Sequence, residues 1–136
     1  MSVWGIGAFY DFDVSEKFIS QGCACIGWNK ADAPSLYQML TSVKIGDIIY
    51  LKSFLPKKKQ LIIKAVGIVI DNRIDGNIFE TGNGIRVKWK ALDTPIKVDI
   101  TEKIYKNNVF NNTLYEEYNP EILEKVISEI FVTKSN

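Results

Sequence analysis

With 136 residues, 46% of them hydrophobic and 24% charged, the chain has the size and composition of one globular domain with a core of its own, which excludes collagen, coiled coil and wholesale disorder. No apolar run reaches the roughly 20 residues of a bilayer-crossing helix, so a single soluble cytoplasmic domain with no membrane partner is expected. The net charge is +1; residues 1–100 carry 13 basic against 10 acidic side chains and residues 101–136 carry 4 against 6, so an anionic partner must be held by a local patch.

Along the chain, VWGIGAFY (3–10) reads as a first strand, with Val3, Gly5, Gly7 and Phe9 on one face and Trp4, Ile6, Ala8 and Tyr10 on the other. Its glycines suggest close approach of another backbone, or a bulge. Asp13 or Ser15 can cap a short helix that Gly22 ends, and a second strand runs from Cys23 to Trp28. Asp32 is placed to cap a helix opening at Ala33-Pro34, with Leu36, Met39, Leu40 and Val43 on its inner side. Gly46-Asp47 then turns into IIYLKSF, which a loop with Pro56 joins to LIIKAVGIVI (61–70) as an antiparallel hairpin. Residues 71–84 are turn-rich and are expected to carry little regular structure. IRVKWKAL alternates strictly, Ile85, Val87 and Trp89 against Arg86, Lys88 and Lys90, and Lys97–Ile100 adds a short last strand. The final helix is the clearest element: Asn119 as N-cap, Pro120 at its first position, and a stripe of Ile122, Leu123, Val126, Ile127, Ile130 and Phe131. Five or six strands, short helices and a C-terminal helix describe an α+β protein, a small curved β-barrel over about residues 3–100 followed by a helical segment over about 101–133.

The chain contains no histidine, which removes Ser-His-Asp and Cys-His catalysis. Cys23 and Cys25 are separated by one residue and suit neither a four-ligand zinc site nor an ordinary disulfide. A metal-dependent nuclease needs carboxylates beside an acid-x-Lys triplet, and no Asp or Glu here has a lysine two residues later. TGNGIR lacks the spacing, lysine and helix of a phosphate-binding loop. No catalytic residue, metal or cofactor is therefore expected, and the chain is read as a non-enzyme, an enzyme on nucleic acid or nucleotide that uses acids without histidine ranking last among the readings.

Binding chemistry is better represented. Lys57, Lys58 and Lys59 at a hairpin tip either keep a sheet edge solvated or contact phosphate together with Arg86 and Lys88 on a neighbouring strand. Tyr10 and Trp28 stand at strand ends beside polar residues, where a ring either completes the core or stays accessible to stack on a base. Trp89, alternating with Ile85 and Val87, reads as core.

Trp4 in the first strand, CIGW at 25–28, GDIIYLKS at 46–53, IKAVGIVID at 63–71 and IRVKWK at 85–90 together resemble the PUA-like superfamily, in particular its EVE-like domains and similar N-terminal domains of predicted restriction endonucleases. The resemblance covers about residues 3–100. It implies a compact barrel with a pocket for a nucleobase, used in several relatives to recognise modified bases in DNA or RNA. By position it places Trp28 and Asn29 on one side of that pocket, and Lys52 and Ser53 at the end of the Gly-Asp strand.

The leading reading is thus a nucleic-acid-binding module that takes a base, modified in its natural target, into a pocket of Tyr10, Trp28, Asn29, Asp32, Lys52 and Ser53, while Lys57, Lys58, Lys59, Arg86 and Lys88 hold phosphate. Flipping the base would cost a few kcal/mol, which stacking and edge hydrogen bonds must offset. A restriction or defence setting would require a separate effector protein. The alternative is a protein-interaction or small-nucleotide-sensing domain without polymer binding; the C-terminal stripe either packs on the chain's own barrel, the favoured reading, or joins a second subunit or a partner.

Overall fold

The computed structural model describes residues 1–8, 13–27, 31–55, 57–75, 83–102, 104 and 112–131. In chain order these contain β1 (Val3–Gly7), α1 (Ser15–Gln21), β2 (Cys23–Ile26), α2 (Pro34–Ser42), β3 (Ile48–Leu55), β4 (Gln60–Asp75), β5 (Asn83–Asp99), β6 (Leu114–Glu116) and α3 (Pro120–Phe131). The strands form one sheet, curled into a half-barrel, in the order β2-β5-β4-β3-β1-β6. The α+β class, the curved barrel-like sheet, the short helices and the C-terminal helix expected from the sequence are all present.

β1 and β3 lie parallel, while the other neighbouring strands are antiparallel. A parallel pair needs a long crossover, and the segment containing α1, β2 and α2 provides it. Because side chains alternate along a strand, the central strands feed two separate cores. Trp4, Ile6, Ile49, Leu51, Ala65, Val69, Ile85 and Val87 join the inner core, together with Phe18 of α1 and Tyr37 and Leu40 of α2. Val3, Ile48, Tyr50, Ile63, Val66 and Tyr115 join the outer one, closed by Ile122 and Val126 of α3.

The helices end and begin as their sequences direct. Gly22, with φ of 66°, takes the left-handed conformation that stops α1. The Asp13 carboxylate, rather than Ser15, caps that helix, accepting hydrogen bonds from the Ser15 backbone at 2.8 Å and the Ser15 hydroxyl. Pro34 opens α2 directly after Ala33, which takes the N-cap position one residue beyond Asp32. For α3, Asn119 Oδ1 accepts the backbone N–H groups of Glu121 and Ile122 at 3.0 and 3.2 Å. Ile122 and Val126 are fully buried against the chain's own sheet, so the centre of the C-terminal stripe is spent within the domain. Each such burial is worth about 1.5–3 kcal/mol.

Three features of the sheet differ from the sequence reading. Residues 71–75 and 83–84, read as turn, extend β4 and β5, where Asp71 pairs with Arg86 and Asp75 with Gly84. Lys97–Asp99 is no separate strand but the end of β5, which continues past Pro95. It does so through a bulge: Ile63 pairs with Ile96 and Ala65 with Ala91, so residues 92–95 are looped out opposite Lys64. Lys64 is also skipped in the β3 ladder, and a bulge on both flanks bends a sheet sharply at that point. Its ammonium meets Asp13 at 2.8 Å.

Candidate functional site

The most concentrated buried polar chemistry among the described residues lies where β3, β1 and β6 meet. Gly5 of β1 pairs with Tyr50 on one side and Tyr115 on the other. A Cβ on Gly5 would fall 2.6 Å from Tyr115 Cζ and 2.7 Å from Tyr50 Cζ, so the missing side chain is what lets both rings lie over the strand. The space that Gly5 leaves is filled by these side chains, while at Gly7 it meets the Lys52 side chain and, at 4.0 Å, the Thr113 backbone carbonyl. The two rings meet edge to face, centroids 6.2 Å apart.

Their hydroxyls form a directed chain. Tyr50 Oη lies 2.6 Å from Glu117 Oε1 and 2.7 Å from Tyr115 Oη. A phenol has one proton to give; Tyr50 donates to the carboxylate, so Tyr115 donates to Tyr50. Lys52, paired with Gly7, extends over the Tyr115 ring with Nζ 4.8 Å from its centroid and donates to the Asn112 carbonyl at 2.6 Å. That placement is a cation–π contact as well as a hydrogen bond.

The electrostatics follow from burial. Burial lowers Lys52 to about 8 against the opposing pull of the Glu117 charge. Burial, then the neighbouring Tyr115 and Glu117, pushes Tyr50 well above the ordinary phenol value. Tyr115 is also raised, by burial and by Glu117, with the Tyr50 hydrogen bond opposing. Since these groups satisfy one another, the cluster's evident physical effect is to fasten the three-residue strand β6 to the sheet.

A second polar anchor sits at the other end of β1. Asp47 is buried and accepts from the Ser2 and Lys44 backbone N–H groups at 3.0 and 2.9 Å and from Trp4 Nε1 at 3.0 Å. Burial alone would push its carboxyl up; the three donors outweigh it and hold the group below its usual value.

The residues expected to form a base pocket do not all gather in one place. Tyr10, Trp28 and Asn29 lie outside the described residues. Asp32 is exposed just before α2. Tyr37 of that helix accepts a hydrogen bond from the side chain of Asn83, which pairs with Ile26 at the exit of β2. Lys52 and Ser53 instead pair with Ile63 and Ile62, near the other end of β4. Between Ile63 and Asp75 runs roughly 40 Å of strand at about 3.3 Å per residue. Lys52 is therefore part of the tyrosine cluster.

The phosphate set divides in the same way. Lys57, Lys58 and Lys59 are exposed at the β3–β4 tip, beside Gln60. Arg86 pairs with Asp71, and Lys88 with Ile68. Roughly 36 Å of strand, at about 3.3 Å per residue, separates Gln60 from Asp71. Tyr115 and Glu117 escape a reading of the sequence because β6 is three residues long and has no periodicity to find; the hydroxyl and acid two positions apart in LYEE are its signal.

Among the described residues no three acidic or thiol side chains gather closely enough to hold a metal ion, and no helix is long and apolar enough to cross a membrane. Compared with known proteins, the chain matches no family model and no curated protein.

Proposed function

We propose that the chain is a nucleic-acid-binding module that accepts a nucleobase, modified in its natural target, beside the exit of β2. The observation that carries this reading is how the segments resembling the PUA-like, EVE-like domains depend on one another. Trp4 donates to Asp47, joining the first strand to the Gly-Asp strand start. Gly67 pairs with Trp89, and a Cβ there would lie 2.9 Å from the Trp89 ring, joining the Gly-x-Val strand to the Val-Lys-Trp strand. Trp89 Nε1 donates to the Cys23 carbonyl at 2.8 Å, joining that strand to the segment ending in Ile-Gly-Trp. In this reading Trp28 and Tyr10 stack on the base, Asn29 and Asp32 read its edge, and the protein acts without catalysis, passing recognition to a separate effector in a restriction or defence setting.

A second reading, sensing of a small nucleotide without polymer binding, is favoured by one observation: three of the basic side chains are engaged inside the domain, Lys52 with Asn112, Lys64 with Asp13 and Lys90 with Glu129. Titrating the protein with a labelled single-stranded oligonucleotide and, separately, with the matching nucleoside monophosphate decides between them. Polymer binding whose affinity falls steeply with salt supports the first reading; equal affinity for the monophosphate with a shallow salt dependence supports the second.

A further inference from the structure

The outer face of the sheet is covered unevenly. Lys90 of β5 donates to the Glu129 carbonyl at 2.8 Å, so α3 reaches the level of the Val66–Lys90 pair. One step further the cover stops: Ile68 is 36% and Ile70 53% exposed, and Lys88 is exposed. On this open part β4 places Asp71 and Arg73 on the same side as Arg86 and Lys88 of β5. The alternation agrees, because Asn72 and Ile74 turn inward, Asn72 to the Val43 carbonyl and Ile74 to the inner core.

Among the described side chains the charges here gather around Asp71. Arg73 holds Asp71 through Nη2–Oδ2 at 2.8 Å and Nε contacts at 3.2 and 3.3 Å, and hydrogen bonds from Arg73, then its charge and that of Arg86, keep the Asp71 carboxyl below its ordinary value. Among the described side chains two guanidiniums and an ammonium thus stand with the Asp71 carboxylate, and the Arg73 side chain remains 88% exposed. A solvent-exposed guanidinium fork oriented by a carboxylate is suited to a phosphodiester oxygen. β2 pairs with this part of β5, Cys23 with Arg86 and Ile26 with Asn83, which puts Arg86 about 10 Å of strand from the β2 exit at about 3.3 Å per residue. The Lys57–Lys59 tip is at the far end of β4.

We infer that the outer face of β4 and β5 around Arg73, Arg86 and Lys88 contacts the phosphates flanking the bound base, and that the Lys57–Lys59 tip does not. This rests on the nucleobase-binding reading and adds to it Arg73 and the course of the strand. Charge complementarity selects the partner: three cations with aliphatic neighbours at Ile68 and Ile70 suit a phosphate backbone with its sugars.

The test is fluorescence anisotropy with a labelled 12-nucleotide single strand, as DNA and as RNA, across a salt series. Arg73→Ala with Lys88→Ala, both exposed and outside the cores, should lower the slope of log affinity against log salt by roughly 0.7 for each phosphate no longer neutralised, about 1.4 for the pair. Lys57→Ala, Lys58→Ala and Lys59→Ala together should leave the slope unchanged. Loss of slope in the tip variant with none in the face variant overturns the inference while the nucleobase reading stands. No binding by the unaltered protein overturns both. A polyglutamate peptide of equal charge binding as tightly, with the same sensitivity to Arg73 and Lys88, assigns the face to an acidic protein and overturns it as well.

Discussion

The Trp4 indole donates its N–H to the Asp47 carboxylate at 3.0 Å, across 43 positions of sequence, in a buried site. The same carboxylate receives the Ser2 and Lys44 backbone N–H groups, so it fixes the start of β1 to the turn that begins β3. Removing it strands several donors, each costing about 1–3 kcal/mol when buried and unpaired. Asp47→Ala is therefore expected to lose about 2–4 kcal/mol in urea denaturation followed by tryptophan fluorescence, with Asp47→Asn losing less because the amide keeps one acceptor. Its carboxyl is held below the usual value, so its contribution is present above the unfolded value near 3.8 and fades as pH falls below it.

Gly5 is a steric requirement. Gly5→Ala would press a methyl into both tyrosine rings at 2.6–2.7 Å, and neither ring can retreat without breaking the hydroxyl chain to Glu117. Overpacking of this kind costs about 1–3 kcal/mol. Thermal denaturation should show the loss, and Gly5→Ala combined with Tyr115→Leu should recover part of it by making room.

The tyrosine cluster gives the alkaline stability profile two limbs of opposite sign. Lys52 falls from 10.5 to about 8 on folding. Between those values the unfolded chain binds the proton more tightly, so this group makes stability rise with pH. Tyr50 and Tyr115 are raised, so above their ordinary value of 10.0 the folded chain binds protons more tightly and stability falls. Urea midpoints from pH 7.5 to 11 should therefore pass through a maximum at about pH 10. Lys52→Met should flatten the rising limb and keep the falling one. Tyr50→Phe should weaken the falling limb.

The fold is legible in the sequence where periodicity or capping chemistry is local. Ile85, Val87 and Trp89 alternate with Arg86, Lys88 and Lys90 across the two faces as read, and Asn119 and Pro120 start α3 where capping chemistry requires. What cannot be read depends on distant partners. Residues 71–75 look like turn until Arg86 and Gly84 are opposite them, and Leu114–Glu116 is a strand because Gly5 leaves room for Tyr115. Lys52 reads as a binding residue from its place at the end of a strand. Only the fold reveals that its ammonium lies over Tyr115 and is bonded to the Asn112 carbonyl. Arg73 gives no signal in the sequence because it stands in a segment that looks like turn.

The central claim, a base taken up beside the β2 exit, is tested most directly by anisotropy titration of the unaltered protein and Trp28→Ala against two labelled oligonucleotides that differ only in one base, plain in one and carrying 5-hydroxymethyl in the other, with 5-methyl and N6-methyl versions run in parallel. Base–aromatic stacking is worth about 1–3 kcal/mol by alanine substitution, so Trp28→Ala should weaken binding by about fivefold or more and, with the ring gone, lose the preference that the unaltered protein shows for one modified strand. Full retention of that preference in Trp28→Ala would contradict the account.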